Sequence, residues 1–171
     1  MRRGYAALTT NAIAERAGVN IASLYQYFPG KEAIVAELRR RHGAEQRAVL
    51  RQALLEHGSE GLESTLRLLV SMGVAAHAKQ ARLHRVFTEE LPALGYSEVS
   101  LTDARFADDF RRLLEEADVD VDDIDRAQWM IATIAGAVIH RATVERPEDL
   151  ARGLIAEDLL TVLLRYLRPQ R

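Results

Sequence analysis

The sequence predicts an all-α protein in which two short helices near the start are joined to a bundle of longer ones. Three observations predict it. Ala, Leu, Glu and Arg are abundant and Pro occurs only four times, a mixture that favours helix. Apolar residues recur at helical spacing, and no alternating run persists long enough for a strand. The breaks are short and fall at turn-forming residues: Pro29-Gly30, Gly58 to Gly61, Pro92, Gly95, the acidic stretch near Asp120, and Pro147.

Taken in order, short helices are expected over 9–17 and 21–28, then a long one from Lys31 toward His57. Further helices are expected over 61–79, 81–91, 98–117, 122–145 and 149–168. Short connections make the second half an antiparallel bundle. The chain divides on this reading into an N-terminal module, 1–47, and a helical body, 48–171. A length of 171 residues suffices for a small module plus a larger core.

Composition removes several classes of function. There is no cysteine, which excludes disulfides, thiolate metal sites and a cysteine nucleophile. No uncharged stretch, that at 127–139 included, is long enough for a bilayer span of roughly 18–20 apolar residues. Met1-Arg2-Arg3-Gly4 is followed by no apolar block, so no signal peptide is expected and the protein reads as cytoplasmic, without a membrane partner. His77 and His84 stand seven apart, not three or four as paired helical zinc ligands do. The acidic run from Glu115 to Asp125 lacks the glycine and final glutamate of a calcium loop. It suits instead the N-terminus of the helix that follows. No nucleophile elbow, phosphate loop or dinucleotide fingerprint is present, so no catalytic residue, metal or cofactor is expected.

Net charge is −2, but residues 1–47 carry eight basic side chains against four acidic ones. A basic end on an acidic body suits contact with phosphates. Within that end, Thr9 is a good N-cap. Ile13, Ala14 and Ala17 share a face, and Ala14 is small enough for a second helix to cross it. Gly18 fits the left-handed residue that ends a helix, Val19 can plug the corner, and Asn20 can cap the next helix. In that helix Leu24 and Phe28 face inward, leaving Ile21, Ala22, Ser23 and Gln26 outward and Tyr25 and Tyr27 at the flanks. Small and amide side chains on a short helix suit the DNA major groove, where Ser and Gln bond base edges. Tyrosine hydroxyls and Lys31, in the first turn of the next helix, suit phosphate oxygens.

These residues resemble the DNA-binding signature of the tetracycline-repressor (TetR) family. The resemblance lies in Gly4-Tyr5, Thr9-Thr10, Ile13-Ala14-Glu15-Arg16-Ala17-Gly18-Val19 and Leu24-Tyr25-Gln26-Tyr27-Phe28-Pro29-Gly30-Lys31-Glu32. It implies a helix-turn-helix module joined to a dimerisation and ligand-binding body. It implies a recognition helix from Ile21 to Tyr27, with Asn20, Ile21 and Ala22 at the DNA surface and Ser23 and Gln26 reading bases. Thr9, Thr10, Tyr25, Tyr27 and Lys31 would then contact phosphates. It also implies a helix before Gly4-Tyr5, expected to lie outside this sequence or to be lost by truncation. Gly30 stands where the family usually has Ser or Asn as a cap, at a cost of roughly a few tenths of a kcal/mol.

In the body, residues 129–139 are apolar all round, and the helix 149–168 has more apolar surface than one core needs. Both fit a homodimer face, formed by helices near 124–145 and 149–168, and the resemblance implies the same. It also implies an effector cavity, with Met72, His77, His84, Phe87, Phe106, Phe110, Trp129 and Met130 as candidate walls. The expected function is a transcription regulator, acting as a repressor that a small-molecule effector releases from a palindromic double-stranded DNA operator. The rival is a helical ligand-binding dimer that no longer binds DNA.

Overall fold

The computed structural model describes residues 5–81, 83, 104–117 and 119–167. Among these there are helices and turns and no strand. A single 3₁₀ turn, Tyr5–Ala7, precedes α1 (Thr10–Ala17) and α2 (Ile21–Tyr27). The long α3 (Lys31–His57) follows, then α4 (Leu62–Lys79), α5 (Ala104–Glu116), α6 (Ile124–Glu145), α7 (Pro147–Ala151) and α8 (Leu154–Leu167). The helix expected over 81–91 lies almost wholly outside the described residues, as do the first residues of the one expected over 98–117.

Local chemistry sets the ends. The Thr9 hydroxyl accepts from the Ala12 amide at 3.2 Å, and the Asn20 side chain accepts from the Ala22 amide at 2.7 Å. Asp123, from the acidic run, caps α6 by accepting from the Arg126 amide at 2.9 Å. Thr65, fully buried, donates its hydroxyl at the α3–α4 corner to the carbonyls of His57 and Gly61. The expected helix 149–168 is in fact two. Gly153, at φ +77°, takes a conformation costly for any side chain, and the chain turns there before α8 begins. Pro147 opens α7 at its first position, where its missing N–H costs no bond.

The core lies in the body. Leu54 of α3, Leu66, Val70 and Val74 of α4, and Phe110, Leu113 and Leu114 of α5 meet Ile131, Ile139 and Ala142 of α6. Leu150 of α7 and Leu159, Leu160, Leu163 and Leu167 of α8 close it. Helix α4 packs against α3, α6 and α8, and α5 packs against both α3 and α6. Two polar ties cross these layers. Gln128, buried on α6, donates to the Ala107 carbonyl at 2.7 Å. Asp109, buried on α5, is held by Arg51 of α3 at 2.7 Å and Arg112 at 3.0 Å. No helix among the described residues is long and apolar enough to cross a membrane.

Candidate functional site

Helices α1 and α2 pack on each other through a tight corner. Gly18 sits at φ +68°, its N–H donating to Glu15 O, while the Val19 N–H reaches back to Ala14 O at 3.0 Å. This is the Schellman arrangement, and it satisfies carbonyls that the end of α1 would otherwise leave open. Val19 closes the corner with its backbone. Its side chain, expected to plug the corner, is instead left 46% exposed.

On α2 and at its C-cap, Leu24 and Phe28 are half-buried, and so is Ile21, which was expected to face outward. Ala22, Ser23 and Gln26 are exposed together on the outer face, with Tyr25 and Tyr27 also exposed beside them. The surroundings of the other expected contacts are more particular. Asn20 is exposed, but its side-chain oxygen is engaged in the cap. Thr9 is likewise exposed with its hydroxyl in a cap. Thr10 is half-buried, and its hydroxyl shares a 2.9 Å hydrogen bond with the Tyr25 hydroxyl across the two helices. Lys31 is half-buried, its ammonium donating to the Tyr5 carbonyl at 3.3 Å and lying 4.4 Å from the centre of the Tyr5 ring. The Tyr5 hydroxyl donates in turn to Glu32 at 3.1 Å. A cation–π contact and two hydrogen bonds therefore clasp the 3₁₀ turn to the first turn of α3.

Farther along α3 the arginine run is partly neutralised from within. Arg40 and Arg41 both donate to Glu37 at 2.7 Å, and these hydrogen bonds hold the Glu37 carboxyl down at about 2. The positive field of this end is thus weaker than the count of arginines suggests.

The second feature is a cavity of about 120 Å³ in the body. Its walls are Gln46, Arg47 and Leu50 from α3; Leu66, Leu69, Val70, Gly73 and His77 from α4; and Phe106 and Phe110 from α5. Helix α6 supplies Gln128, Ile131, Ala132, Ala135, Gly136, Ile139 and His140, and α8 supplies Leu163. Phe106 and Phe110 stack nearly parallel, with centroids 5.9 Å apart. His77 meets His140 edge to face, with Nε2 atoms 3.4 Å apart. Burial pushes His77 down to about 4, with the adjacent His140 and His42 acting in the same direction and the Gly73 carbonyl opposing them.

Of the wall residues expected from sequence, His77, Phe106 and Phe110 lie on this cavity. Met72 and Met130 are half-buried but do not line it, and Trp129 is 59% exposed. His84 and Phe87 lie outside the described residues. Sequence reasoning missed Gln46, Arg47 and Leu50, which sit on a helix assigned to connecting the two parts, and His140, which is 63 residues from its partner. Each ring is held by the backbone carbonyl four residues before it, of Gly73 and Gly136, a contact that any helical residue at that position offers, so no local signal marked the pair. No group of three or more His, Cys, Asp or Glu among the described residues is placed to hold a metal ion.

Residues 1–38 match the family model described as bacterial regulatory proteins, tetR family. Residues 61–167 match that described as tetracyclin repressor-like, C-terminal domain. The crystal structure of a bacterial regulatory protein in the tetR family from Rhodococcus RHA1 is similar in fold, with a TM-score of 0.56. The two chains are 19% identical over 98% of this chain and 90% of that one. Among curated proteins none matches.

Proposed function

The chain belongs to the TetR family of DNA-binding transcription regulators, and on that premise we propose that it is a homodimeric repressor released from a palindromic operator by a small-molecule effector. The observation that carries the DNA reading is the exposed outer face of α2, where Ala22, Ser23 and Gln26 stand together on a helix fixed by the Gly18 corner and the Asn20 cap. Ser23 and Gln26 read base edges. Tyr25, Tyr27, Thr9, Thr10 and Lys31 meet phosphates, with Lys31 exchanging its Tyr5 partners for a phosphate oxygen. Residues 1–47 form the reading module and 48–171 the body.

Dimerisation is supported by the side chains α6 and α8 leave uncovered. Trp129 and Val138 on α6, and Leu154 and Val162 on α8, are exposed large apolar groups on the two helices that a dimer would pair. Two-fold pairing would set two recognition helices about 34 Å apart, one turn of DNA.

Coupling is supported by α3. It begins at Lys31 beside the reading module and touches the cavity at Gln46, Arg47 and Leu50. Between Lys31 and these wall positions run about 22–29 Å of continuous helix. An effector that binds one tilt of α3 more tightly than another shifts the spacing of the two reading heads, and only that difference in affinity can do so.

The test is binding of the purified protein to DNA flanking its own gene and to random DNA over a salt series. Tight, selective binding with a steep salt slope is expected. Gln26→Ala should relax base preference, at about 1–3 kcal/mol per lost contact. Lys31→Ala should weaken binding to every sequence and flatten the salt slope by about one unit. Selectivity absent at every salt concentration, with ligand binding retained, would favour a ligand-binding dimer that does not read DNA.

A further inference from the structure

The outer face of α2 carries no charge, and that limits which bases it can recognise. The helix holds no Arg, Lys, Asp or Glu between Ile21 and Tyr27. Arginine and lysine are the usual partners of guanine, whose O6 and N7 both accept, and Asp or Glu accepts from the N4 amine of cytosine. Neither chemistry is available on this helix. What it exposes is a methyl group, Ala22, a hydroxyl, Ser23, and a carboxamide, Gln26, beside two tyrosines. The Tyr25 hydroxyl shares a 2.9 Å hydrogen bond with Thr10, which ties it to α1. Asn20, the neighbouring carboxamide, has its oxygen engaged by the Ala22 amide at 2.7 Å. Gln26 is the amide left to face a groove.

A carboxamide places an acceptor and a donor side by side. Adenine is the base whose major-groove edge does the same, with N7 accepting and N6 donating, so the two form a bidentate pair. Guanine offers two acceptors and would set one of them against the Gln26 oxygen. Ala22 can make only an apolar contact, and thymine is the base with a methyl group in that groove. Ala22 and Gln26 stand four residues apart on one side of the helix. Their separation along the axis is about 6 Å, close to two base-pair steps of about 3.4 Å. Ser23 donates or accepts and so adds no preference. We propose that each operator half-site presents an adenine to Gln26 and, within about two base pairs of it, a thymine methyl to Ala22. The assignment rests on the reading of α2 as the recognition helix.

The test selects the full chain's preferred sites from a random duplex library and then replaces single atoms in the selected site. The enriched sequence should be an inverted repeat with an adenine and a thymine at that spacing in each half. Replacing that adenine by 7-deazaadenine, which lacks N7, should weaken binding about tenfold, and the loss should vanish in Gln26→Ala. Replacing the thymine by deoxyuridine, which lacks the methyl group, should weaken it about fourfold. Selection with Gln26→Glu should put cytosine in place of that adenine, a switch that a merely structural role for Gln26 would not produce. Enriched half-sites in which no adenine responds to 7-deaza replacement would overturn the assignment and leave α2 standing as a DNA reader. Enrichment of no sequence at all would overturn both. The replacements alter only the DNA, so they decide the matter even where a variant fails to fold.

Discussion

The reading module and the body are both helical, but they are held together by different means. In the module α1 buries only Ala14 and α2 buries no residue, while Val35 on α3 forms a small cluster with Tyr5 and Leu83. Caps, the Gly18 corner and the Tyr5–Lys31–Glu32 clasp fix its shape. In the body the order is reversed: six of the described helices bury a continuous apolar cluster, and local capping only decides where each one ends. The contrast has a physical reason. On the proposed function, a helix that enters a DNA groove keeps its outer side chains free for bases, so little of its surface is available for a core, whereas a body that encloses a ligand draws walls from many helices at once.

That comparison is sharpest where one large core side chain is removed. Leu114→Ala, at a position with no exposed surface, should cost about 3–5 kcal/mol in urea unfolding. A loss below about 1 kcal/mol would mean that the body relies on its core much less than its burial indicates. Acid should act on the body next. His77 is held neutral by burial, at about 4 against 6.5 when unfolded. Its contribution is complete above pH 6.5 and is lost as pH falls toward 4, because the unfolded ring takes up a proton that the buried one refuses. The change is up to about 3 kcal/mol, and a His77→Leu variant should flatten the stability profile across that window.

Asp109→Ala would leave Arg51 and Arg112 without their buried carboxylate and break the tie between α3 and α5. Both arginines are partly solvated, so a loss of about 1–3 kcal/mol is expected in the same unfolding assay rather than that of a fully buried pair. In the module the largest single effect should come from its corner. Gly18→Ala forces a side chain into the left-handed region at φ +68° and should cost about 1–2 kcal/mol. It should lower DNA affinity by misplacing α2 while leaving the urea unfolding of the body unchanged. A fall in DNA affinity and body stability together would show that the two regions do not fold separately. The smallest change is a gain: Gly30→Ser restores a side-chain cap to α3, where none is present, and should add a few tenths of a kcal/mol to stability by thermal melting.

Much of the module was legible residue by residue. Thr9, Gly18 and Asn20 each act within a few positions of themselves, so their chemistry could be read from neighbours in the chain. The Lys31 contacts with Tyr5 could not, because they close over 26 residues and depend on how the 3₁₀ turn lies against α3. In the body, helix positions were legible from periodicity and breaks, but the glycine at 153 was passed over because apolar spacing continues across it. The cavity wall was legible only in part. Trp129 and Met130 sit on the most apolar stretch of the chain, yet Trp129 points outward and Met130 misses the cavity. Apolar residues all round a helix do not reveal which side meets a partner.

The amino-acid sequence alone determined the all-α class, the Gly18 turn and the Thr9 and Asn20 caps, since each follows from interactions within one or two helical turns; Ile21, expected on the outer face of α2, is half-buried. Only the tertiary structure decided which residues enclose the cavity, that α3 forms one of its walls, and that His77 and His140 turn their Nε2 atoms toward each other. Those features depend on the rotation of whole helices about their axes. That rotation is settled by how side chains far apart in the chain pack together, and a linear pattern does not encode it.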